Sequence, residues 1–287
     1  MLSRSTCMSD DLRNKVAVVT GAAGGLGAAL ATHLAGGGCQ VALCDLDEAG
    51  LERTRAACEA LGARASSRVL DVSEAEPFFA WAQEVVAQHG TPHFVFNNAG
   101  VTLVATVENA TLEELRWLMG INFWGVVHGS KAFLPHMRSA GGGHIVNISS
   151  AFGLIGYPGQ SAYTASKFAV RGFTEALSIE LGVERSPVRA HIVHPGGVAT
   201  GIARNARLGK HQVPALPREA MLAEFDRMAR TTADDAARAI VAGVCRGKRR
   251  ILIGVDARVL SALQRLLPKG YQRLVEFGAR RRGLTQV

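Results

Sequence analysis

Short apolar runs alternate with longer stretches of helical periodicity along the whole chain. Most of the apolar runs are continuous, which is typical of strands that are covered on both faces. Strands are predicted at Val16–Thr20, Gln40–Asp45, Ser67–Asp71, Phe94–Asn98, His144–Ser149, Val188–His194 and Arg250–Gly254, and helices at about 25–36, 48–61, 74–89, 111–138, 161–183 and 231–245. This alternation predicts a doubly wound α/β fold, with a seven-stranded parallel sheet flanked by helices.

Neither an internal repeat nor a low-complexity linker interrupts the pattern, so we expect a single domain over residues 14–255. An N-terminal arm, 1–13, would precede it, and a C-terminal extension, 256–287, would follow. Residues 200–230 form an irregular connection between the sixth strand and the next helix. Long connections inside compact domains usually have a function, so a substrate lid is predicted there, with a surface insertion of no role as the alternative.

The first predicted strand leads directly into a glycine-rich turn, in which Gly21, Gly25 and Gly27 precede a helical pattern. Glycine lets the backbone turn tightly and approach a ligand, and the N-terminus of the next helix offers free N–H groups to an anion. At this position in an alternating chain, such a turn indicates a pyrophosphate site and a Rossmann-type dinucleotide-binding domain.

An acidic residue, Asp45, ends the second predicted strand. A carboxylate there can accept hydrogen bonds from the hydroxyls of an adenosine ribose and would repel a 2′-phosphate. Ala23 and Gly24 in the turn carry no positive charge. The sequence therefore favours NAD over NADP, with a helix cap as the alternative role for Asp45.

A tyrosine and a lysine, Tyr163 and Lys167, lie four residues apart at the start of a helical pattern, hence on one helix face. A phenol has a pKa near 10, and an ammonium group about 4 Å away would favour the phenolate. The pair could therefore transfer protons at neutral pH. Ser150, at the end of the fifth strand, would lie at the same sheet edge and could hold a substrate oxygen.

The formal charge of +8 is concentrated at the C-terminal end of the 287-residue chain. Residues 246–287 contain eleven Lys and Arg against two acidic residues, whereas the remainder holds 21 basic and 22 acidic residues. A neutral body argues against nucleic acid as a partner. The basic C-terminal extension carries an amphipathic pattern, which would cover a neighbouring subunit, pack on its own domain, or lie on an anionic membrane surface.

Other features of the sequence exclude some classes of protein. Five cysteines without C-x-x-C spacing are interpreted as reduced thiols, and scattered histidines predict no metal site. The first residues lack the apolar segment of a secretory signal. A cytoplasmic location is therefore expected, with peripheral membrane association as an option.

Seven motifs in register resemble those of classical short-chain dehydrogenases/reductases over residues 14–255. They are Thr20-Gly21-x-x-x-Gly25-x-Gly27, Asp71-Val72, Asn97-Asn98-Ala99-Gly100, Asn122, Ser150, Tyr163-x-x-x-Lys167 and Pro195-Gly196. The resemblance implies that Tyr163 is the general acid/base, that Ser150 orients the substrate oxygen, and that Lys167 binds the nicotinamide ribose and lowers the tyrosine pKa. Asn122 would help to hold a proton-relaying water.

The same resemblance, together with the turn and Asp45, implies a set of cofactor-binding residues. These are Gly21, Ala23, Gly24, Gly25, Leu26, Gly27, Asp45, Leu46, Asp71, Val72, Asn98, Ala99, Gly100, Tyr163, Lys167, Pro195, Gly196, Val198 and Thr200. The expected function is NAD-dependent interconversion of a secondary alcohol and a ketone or aldehyde, on a hydrophobic substrate because the candidate pocket segments are mostly apolar. An NADP-linked carbonyl reductase and a non-catalytic NAD sensor are the alternatives, and a homodimer or homotetramer is implied.

Overall fold

The computed structural model describes residues 12–202, 204–210, 219, 222, 227 and 229–281. Within them, seven parallel strands form one sheet: β1 Val16–Thr20, β2 Gln40–Asp45, β3 Ala65–Val69, β4 Phe94–Asn97, β5 Gly143–Ile148, β6 Val188–Pro195 and β7 Arg250–Ile253. The order across the sheet is β7-β6-β5-β4-β1-β2-β3. The winding direction reverses between β1 and β4, where doubly wound folds open a ligand crevice. The predicted fold class is confirmed.

The helices cover both faces of the sheet. They are α1 Gly25–Gly36, α2 Glu48–Ala60, α3 Ala75–His89, α4 Leu112–Met119, α5 Gly125–Ser139, α6 Ser161–Val183, α7 Ala233–Cys245, α8 Val255–Leu266 and α9 Tyr271–Arg281, with a π-helical turn at Gly120–Trp124 and a 3₁₀ turn at Ala151–Gly153. Two short parallel pairings join Leu103–Val104 to Arg207–Leu208 and Val198–Ala199 to Thr231–Thr232.

The core has two layers because alternate residues of each strand point to opposite faces of the sheet. Val19 and Leu43 pack with Leu30 of α1 and Ile240 of α7 on one face. On the other face, strand residues including Val18 and Val95 pack against α3, α5 and α6. Strands that are buried on both sides explain the continuous apolar runs of the sequence.

The predicted ends of the other strands agree with the structure to within one residue, but the third strand and the fourth helix differ more. The third strand is Ala65–Val69 rather than Ser67–Asp71, because the register that pairs this edge strand with β2 runs from Ala65 to Val69. The helix predicted over 111–138 contains a π-helical turn at Gly120–Trp124 between two α-helical parts. The hydrophobic periodicity of the sequence could not show that this turn accommodates one extra residue.

Three of the five cysteines, Cys39, Cys44 and Cys58, are buried and free, as expected. Among the described residues, no set of three His, Cys, Asp or Glu side chains could hold a metal ion, and no helix is long and apolar enough to cross a membrane.

Candidate functional site

The glycine-rich turn after β1 requires glycine at several of its positions. Gly21 and Gly25 have φ values of 67° and 54°, in the left-handed region that favours glycine. A Cβ atom on Gly27 would overlap the carbonyl oxygen of Gly21, whereas one on Gly24 would meet nothing within 4 Å. The backbone thus turns sharply into α1, whose positive N-terminus faces the crevice, and Leu26 packs against the core. This arrangement fits a pyrophosphate.

The carboxylate of Asp45 bridges the end of β2 and the glycine-rich turn. One oxygen accepts a hydrogen bond from the Ala23 N–H at 2.9 Å, and the other accepts from the N–H groups of Leu46 and Asp47. The N-cap of α2 is Asp47, whose side chain accepts from the Gly50 N–H. The alternative role of Asp45 as that helix cap is therefore excluded, and a negative charge lies beside the turn.

The segment after β4 is fastened to the turn by Thr20 and Asn98. The Thr20 hydroxyl accepts hydrogen bonds from the N–H groups of Asn98 and Ala99, both at 3.0 Å. The Asn98 amide donates to the carbonyl oxygens of Thr20 and Gly21. These contacts place Ala99 and Gly100 at the crevice, next to the glycine-rich turn.

Ser150 and Tyr163 meet at the carboxyl edge of β5. Ser150 follows this strand, and its hydroxyl accepts a hydrogen bond from the Phe152 N–H at 3.1 Å. Tyr163 lies in the first turn of α6, with the Phe152 ring edge-on to it at 6.3 Å. Burial raises the pKa of Tyr163, and a side-chain hydrogen bond with Ser150 lowers it in part.

Lys167 lies one helical turn beyond Tyr163 and is buried. Its ammonium group donates to the carbonyl oxygen of Ile148 at 3.1 Å and lies 5.6 Å from the centre of the Tyr163 ring. Burial lowers the pKa of Lys167 to about 8. The sequence predicted that this ammonium lowers the tyrosine pKa; in the structure burial dominates instead, and the pKa of Tyr163 is raised.

Asn122 lies in the π-helical turn and is fully buried. Its side chain exchanges two hydrogen bonds with the backbone of Val101, at 2.8 and 2.9 Å, and donates to the Ser166 hydroxyl at 3.1 Å. Ser166 in turn donates to the carbonyl oxygen of Tyr163. Asn122 therefore connects the segment after β4 to α6, the helix that carries Tyr163 and Lys167.

The segment after β6 reaches the glycine-rich turn from the other side. Pro195 ends β6, Val198 is buried, and Thr200 approaches Gly25 so closely that a Cβ on this glycine would lie 3.1 Å from the threonine Cβ. Gly196 lies against the carboxylate of Asp256.

Asp71 and Val72 follow the edge strand β3. Asp71 follows β3 by two residues, and its carboxylate accepts from the N–H and hydroxyl groups of Ser73. Val72 is buried under α5, and its carbonyl oxygen is 2.9 Å from the His128 ring nitrogen Nδ1. Val72 belongs to the apolar cluster against which Ala99 packs, and the Leu46 side chain is exposed.

Part of the predicted lid is described by the structure. Arg207–Leu208 pairs with Leu103–Val104, and the Arg207 guanidinium stacks over the Trp117 ring at 3.7 Å. These contacts fix the first part of the segment beside the crevice. Most of 211–228 lies outside the described residues.

A family model described as short chain dehydrogenase matches residues 15–211. SadH, a Mycobacterium tuberculosis protein named as an oxidoreductase, is 47% identical over 265 residues, which are 92% of this chain and 95% of SadH. The chain belongs to the short-chain dehydrogenase family. A trans-4-hydroxycyclohexanecarboxylate dehydrogenase from Sinomonas cyclohexanicum is 35% identical over 79% of this chain and 89% of its own.

Solved structures of the family share this fold. A short-chain dehydrogenase/reductase from Burkholderia phymatum in complex with NAD superposes with a TM-score of 0.80 at 31% identity, covering 92% of this chain and 96% of that chain. A metagenomic short-chain oxidoreductase in complex with NADP gives a TM-score of 0.66 at 29% identity, covering 84% and 97%. The family fold thus accommodates either nicotinamide dinucleotide.

Two residues of this short-chain dehydrogenase were missed from the sequence. His194 is fully buried, and its Nδ1 hydrogen-bonds the carbonyl oxygen of Ser150 at 2.9 Å. Burial lowers the pKa of His194 to about 4, so the ring is neutral and Nδ1 carries the proton that it donates. Asp256 accepts from the Gly197 N–H at 2.6 Å and thereby holds the segment after β6. The position of His194 next to the Pro195-Gly196 motif could have indicated that it belongs to the site. Nothing in the sequence near Asp256 indicated that this residue contacts Gly197.

Proposed function

We propose that this protein catalyses the NAD-dependent interconversion of a hydrophobic secondary alcohol and its ketone. The observation that supports it best is the hydrogen-bonded pair of Ser150 and Tyr163, beside a buried lysine and next to the nucleotide turn. A protein that only sensed NAD would have no use for a phenol and a hydroxyl converging on one point of the crevice.

The residues of the site have separate roles in this reaction. A bound nicotinamide supplies the hydride acceptor or donor. The Ser150 hydroxyl orients the substrate oxygen, and Tyr163 takes the hydroxyl proton during oxidation or returns it during reduction. Lys167 contributes positive charge below the ring, and Asn122 holds α6 against the segment after β4.

The raised pKa of Tyr163 predicts how the rates of oxidation and reduction depend on pH. At neutral pH the phenol is protonated and is ready to donate to a ketone. Oxidation of an alcohol needs the phenolate, so its rate should increase as the pH rises, while reduction should be favoured at lower pH.

NAD is proposed as the cofactor because the Asp45 carboxylate lies beside the turn. A 2′-phosphate there would meet a negative charge, whereas ribose hydroxyls would meet a hydrogen-bond acceptor. An NADP-linked carbonyl reductase is the alternative, since a family structure holds NADP.

A hydrophobic alcohol is proposed as the substrate because aromatic rings border the reactive phenol. Phe152 stacks on Tyr157 at 4.9 Å and lies edge-on to Tyr163. The relative that acts on a hydroxycyclohexane carboxylate supports an alicyclic secondary alcohol. A homodimer or homotetramer and a cytoplasmic location stay predictions.

The test is a screen of aliphatic, alicyclic and steroidal secondary alcohols, measuring NADH formation by absorbance, with NADP in parallel. We expect turnover with NAD, and a loss of about 10²- to 10⁴-fold in kcat for Y163F, since proton transfer then lacks its donor and acceptor. The NAD dissociation constant of Y163F should stay within about twofold of wild type. Tight NAD binding without turnover on any alcohol would favour the sensor, and wild-type rates in Y163F would refute the assigned mechanism.

A further inference from the structure

The two C-terminal helices expose a large apolar surface. The C-terminal helix pair, α8 and α9, turns six large apolar side chains to solvent: Val255, Val259, Leu266, Leu267, Leu274 and Phe277. Leu266 is 79% exposed and Phe277 is 57% exposed. Val255, Val259 and Leu266 recur at intervals of four and seven residues, so they form one stripe along α8.

Basic side chains border this stripe. The C-terminal helix pair and its connection hold six of them, all exposed: Arg258, Arg265, Lys269, Arg273, Arg280 and Arg281. Only Asp256 and Glu276 oppose them in sign. The ion pairs seen among the described residues join residues of α2, α3, α5, α6, α7, β3 and β7, and Glu184 just after α6, instead. The Arg281 guanidinium lies 4.5 Å from the centre of the Phe277 ring, so charge and apolar surface are adjacent.

The inner face of the pair packs on its own domain, close to the active site. Ala257 and Ser261 of α8 and Ala279 of α9 are buried. The Tyr271 hydroxyl accepts a hydrogen bond from the Gly156 N–H, in the segment between Ser150 and Tyr163. The helices are thus fixed on the body, and the apolar stripe is their outward side.

We propose that the outward side of the C-terminal helix pair binds the surface of an anionic phospholipid bilayer. Helices with an apolar stripe flanked by Lys and Arg lie in the membrane interface, where the stripe enters the acyl boundary and the charges meet anionic headgroups. A second copy of the chain fits less well, because a twofold contact centred on this face would bring its basic residues against one another. The inference goes beyond the proposed reaction and does not depend on it.

The first test is flotation of the full-length protein with phosphatidylcholine vesicles, with and without phosphatidylglycerol. We expect the protein to float with the anionic vesicles and to stay behind with the neutral ones. Raising the salt from about 0.1 M to about 1 M shortens the Debye length from about 10 Å to about 3 Å and should release most of the protein.

Variants separate the contribution of the basic side chains to membrane binding from that of the apolar side chains. Each basic residue near an anionic surface contributes about fivefold to partitioning, so R258Q/R265Q should bind about 25-fold more weakly. L266Q/F277Q should also lose binding, since it removes the apolar part of the contact. V107Q/L112Q is the matched control: it removes two equally exposed apolar side chains that lie next to Glu108 and Glu113, and its binding should equal wild type.

Three outcomes would overturn the proposal. They are equal flotation with neutral and anionic vesicles, no flotation with either, and wild-type binding by both C-terminal variants. Light scattering on the same proteins tests whether a second copy of the chain binds this face instead. If the L266Q/F277Q variant has a lower oligomer mass than wild type, and wild type does not float, the face joins two copies of the chain. Circular dichroism spectra matching wild type show that the variants are folded.

Discussion

The proposed nucleotide-binding end of the site, at the glycine-rich turn, is built mainly from backbone, whereas the proposed reaction end, around Tyr163 and Lys167, is built from buried side chains. At Gly21, Gly25 and Gly27 there is no room for a side chain, because a Cβ atom would come too close to neighbouring atoms. At Asn122 and Lys167 it buries polar groups and supplies each with hydrogen-bond partners. A backbone site is sensitive to added atoms, and a buried polar site is sensitive to lost partners and to pH.

The largest effect should come from adding one methyl group at the nucleotide end. In G27A the new Cβ would overlap the backbone carbonyl of Gly21, which cannot move without opening the turn. We expect NAD affinity, measured by calorimetry, to fall about 100-fold, near the upper end of the cost of overpacking.

The matched control is G36A at the opposite end of α1, because a Cβ there meets only the Leu61 Cδ1 at 3.9 Å, an ordinary contact. Its NAD affinity should stay close to wild type. If both alanine variants bound NAD equally well, close backbone packing at Gly27 would not be what shapes the site.

Charge at the nucleotide end should have the next largest effect. D45N keeps a hydrogen-bond acceptor beside Ala23 but removes the negative charge. One charge at roughly 6–7 Å in an effective dielectric of about 20 corresponds to about 2–3 kcal/mol, so kcat/KM for NADP should rise by roughly 30- to 100-fold.

Asp47 provides the comparison, since D47N removes the same charge from the cap of α2. Steady-state kinetics with both cofactors should show a smaller gain for D47N. A strong preference of the wild-type enzyme for NADP would refute the proposed role of Asp45.

At the reaction end, His194 is expected to act as a positioning residue for Ser150. Asn can donate from its side-chain amide where the histidine Nδ1 donates, whereas Leu cannot. Because a small misplacement of a reacting group slows catalysis, H194L should lower kcat about tenfold with the KM for NAD unchanged.

H194N should restore most of that rate. Thermal denaturation of both variants serves as the control for folding. An equal loss in H194N and H194L would show that the ring volume, and not the hydrogen bond, is what matters.

The smallest effect should be on stability in acid. The His144 and His191 rings are hydrogen-bonded to each other, and burial lowers the pKa of His144 to about 4 from 6.5. Because the folded pKa lies below the unfolded one, the neutral rings add stability above pH 6.5 that is lost as the pH falls toward 4. The melting temperature should therefore decrease over this interval.

His144→Phe should reduce that decrease, since its ring can still stack on Phe94 but cannot be protonated. A pH scan of thermal unfolding measures the difference. The same slope in wild type and variant would assign the acid sensitivity to other groups.

The sequence predicted those features of the fold and the site that depend on residues close together along the chain. The alternation of strands and helices, the glycine-rich turn and the spacing of Tyr163 and Lys167 all follow from neighbouring residues, and the structure brings the turn and the Tyr163–Lys167 pair to one sheet edge. Contacts between distant residues could not be predicted in this way. His194 reaches Ser150 across 44 positions and Asp256 reaches Gly197 across 59, so only the folded chain shows that these pairs touch.

The direction of the Tyr163 pKa shift was missed for a related reason. Helical spacing predicted that the ammonium is near, but it gave no measure of how deeply the phenol is buried. Burial is a property of the assembled crevice, and here it has the larger influence on the phenol.

The π-helical turn at Gly120–Trp124 constrains how this helix can vary in length. Removing a single residue from it would restore ordinary α-helical geometry and leave the faces of α4 and α5 nearly unchanged, because a π-turn takes up one residue more than an α-turn. Leu118 and Phe133 would then keep their places in the core, but Asn122 would be shifted from the position in which it hydrogen-bonds Val101 and Ser166. We therefore expect natural variants of this protein to keep the residue count between α4 and α5 fixed because of Asn122, even where the residue types change.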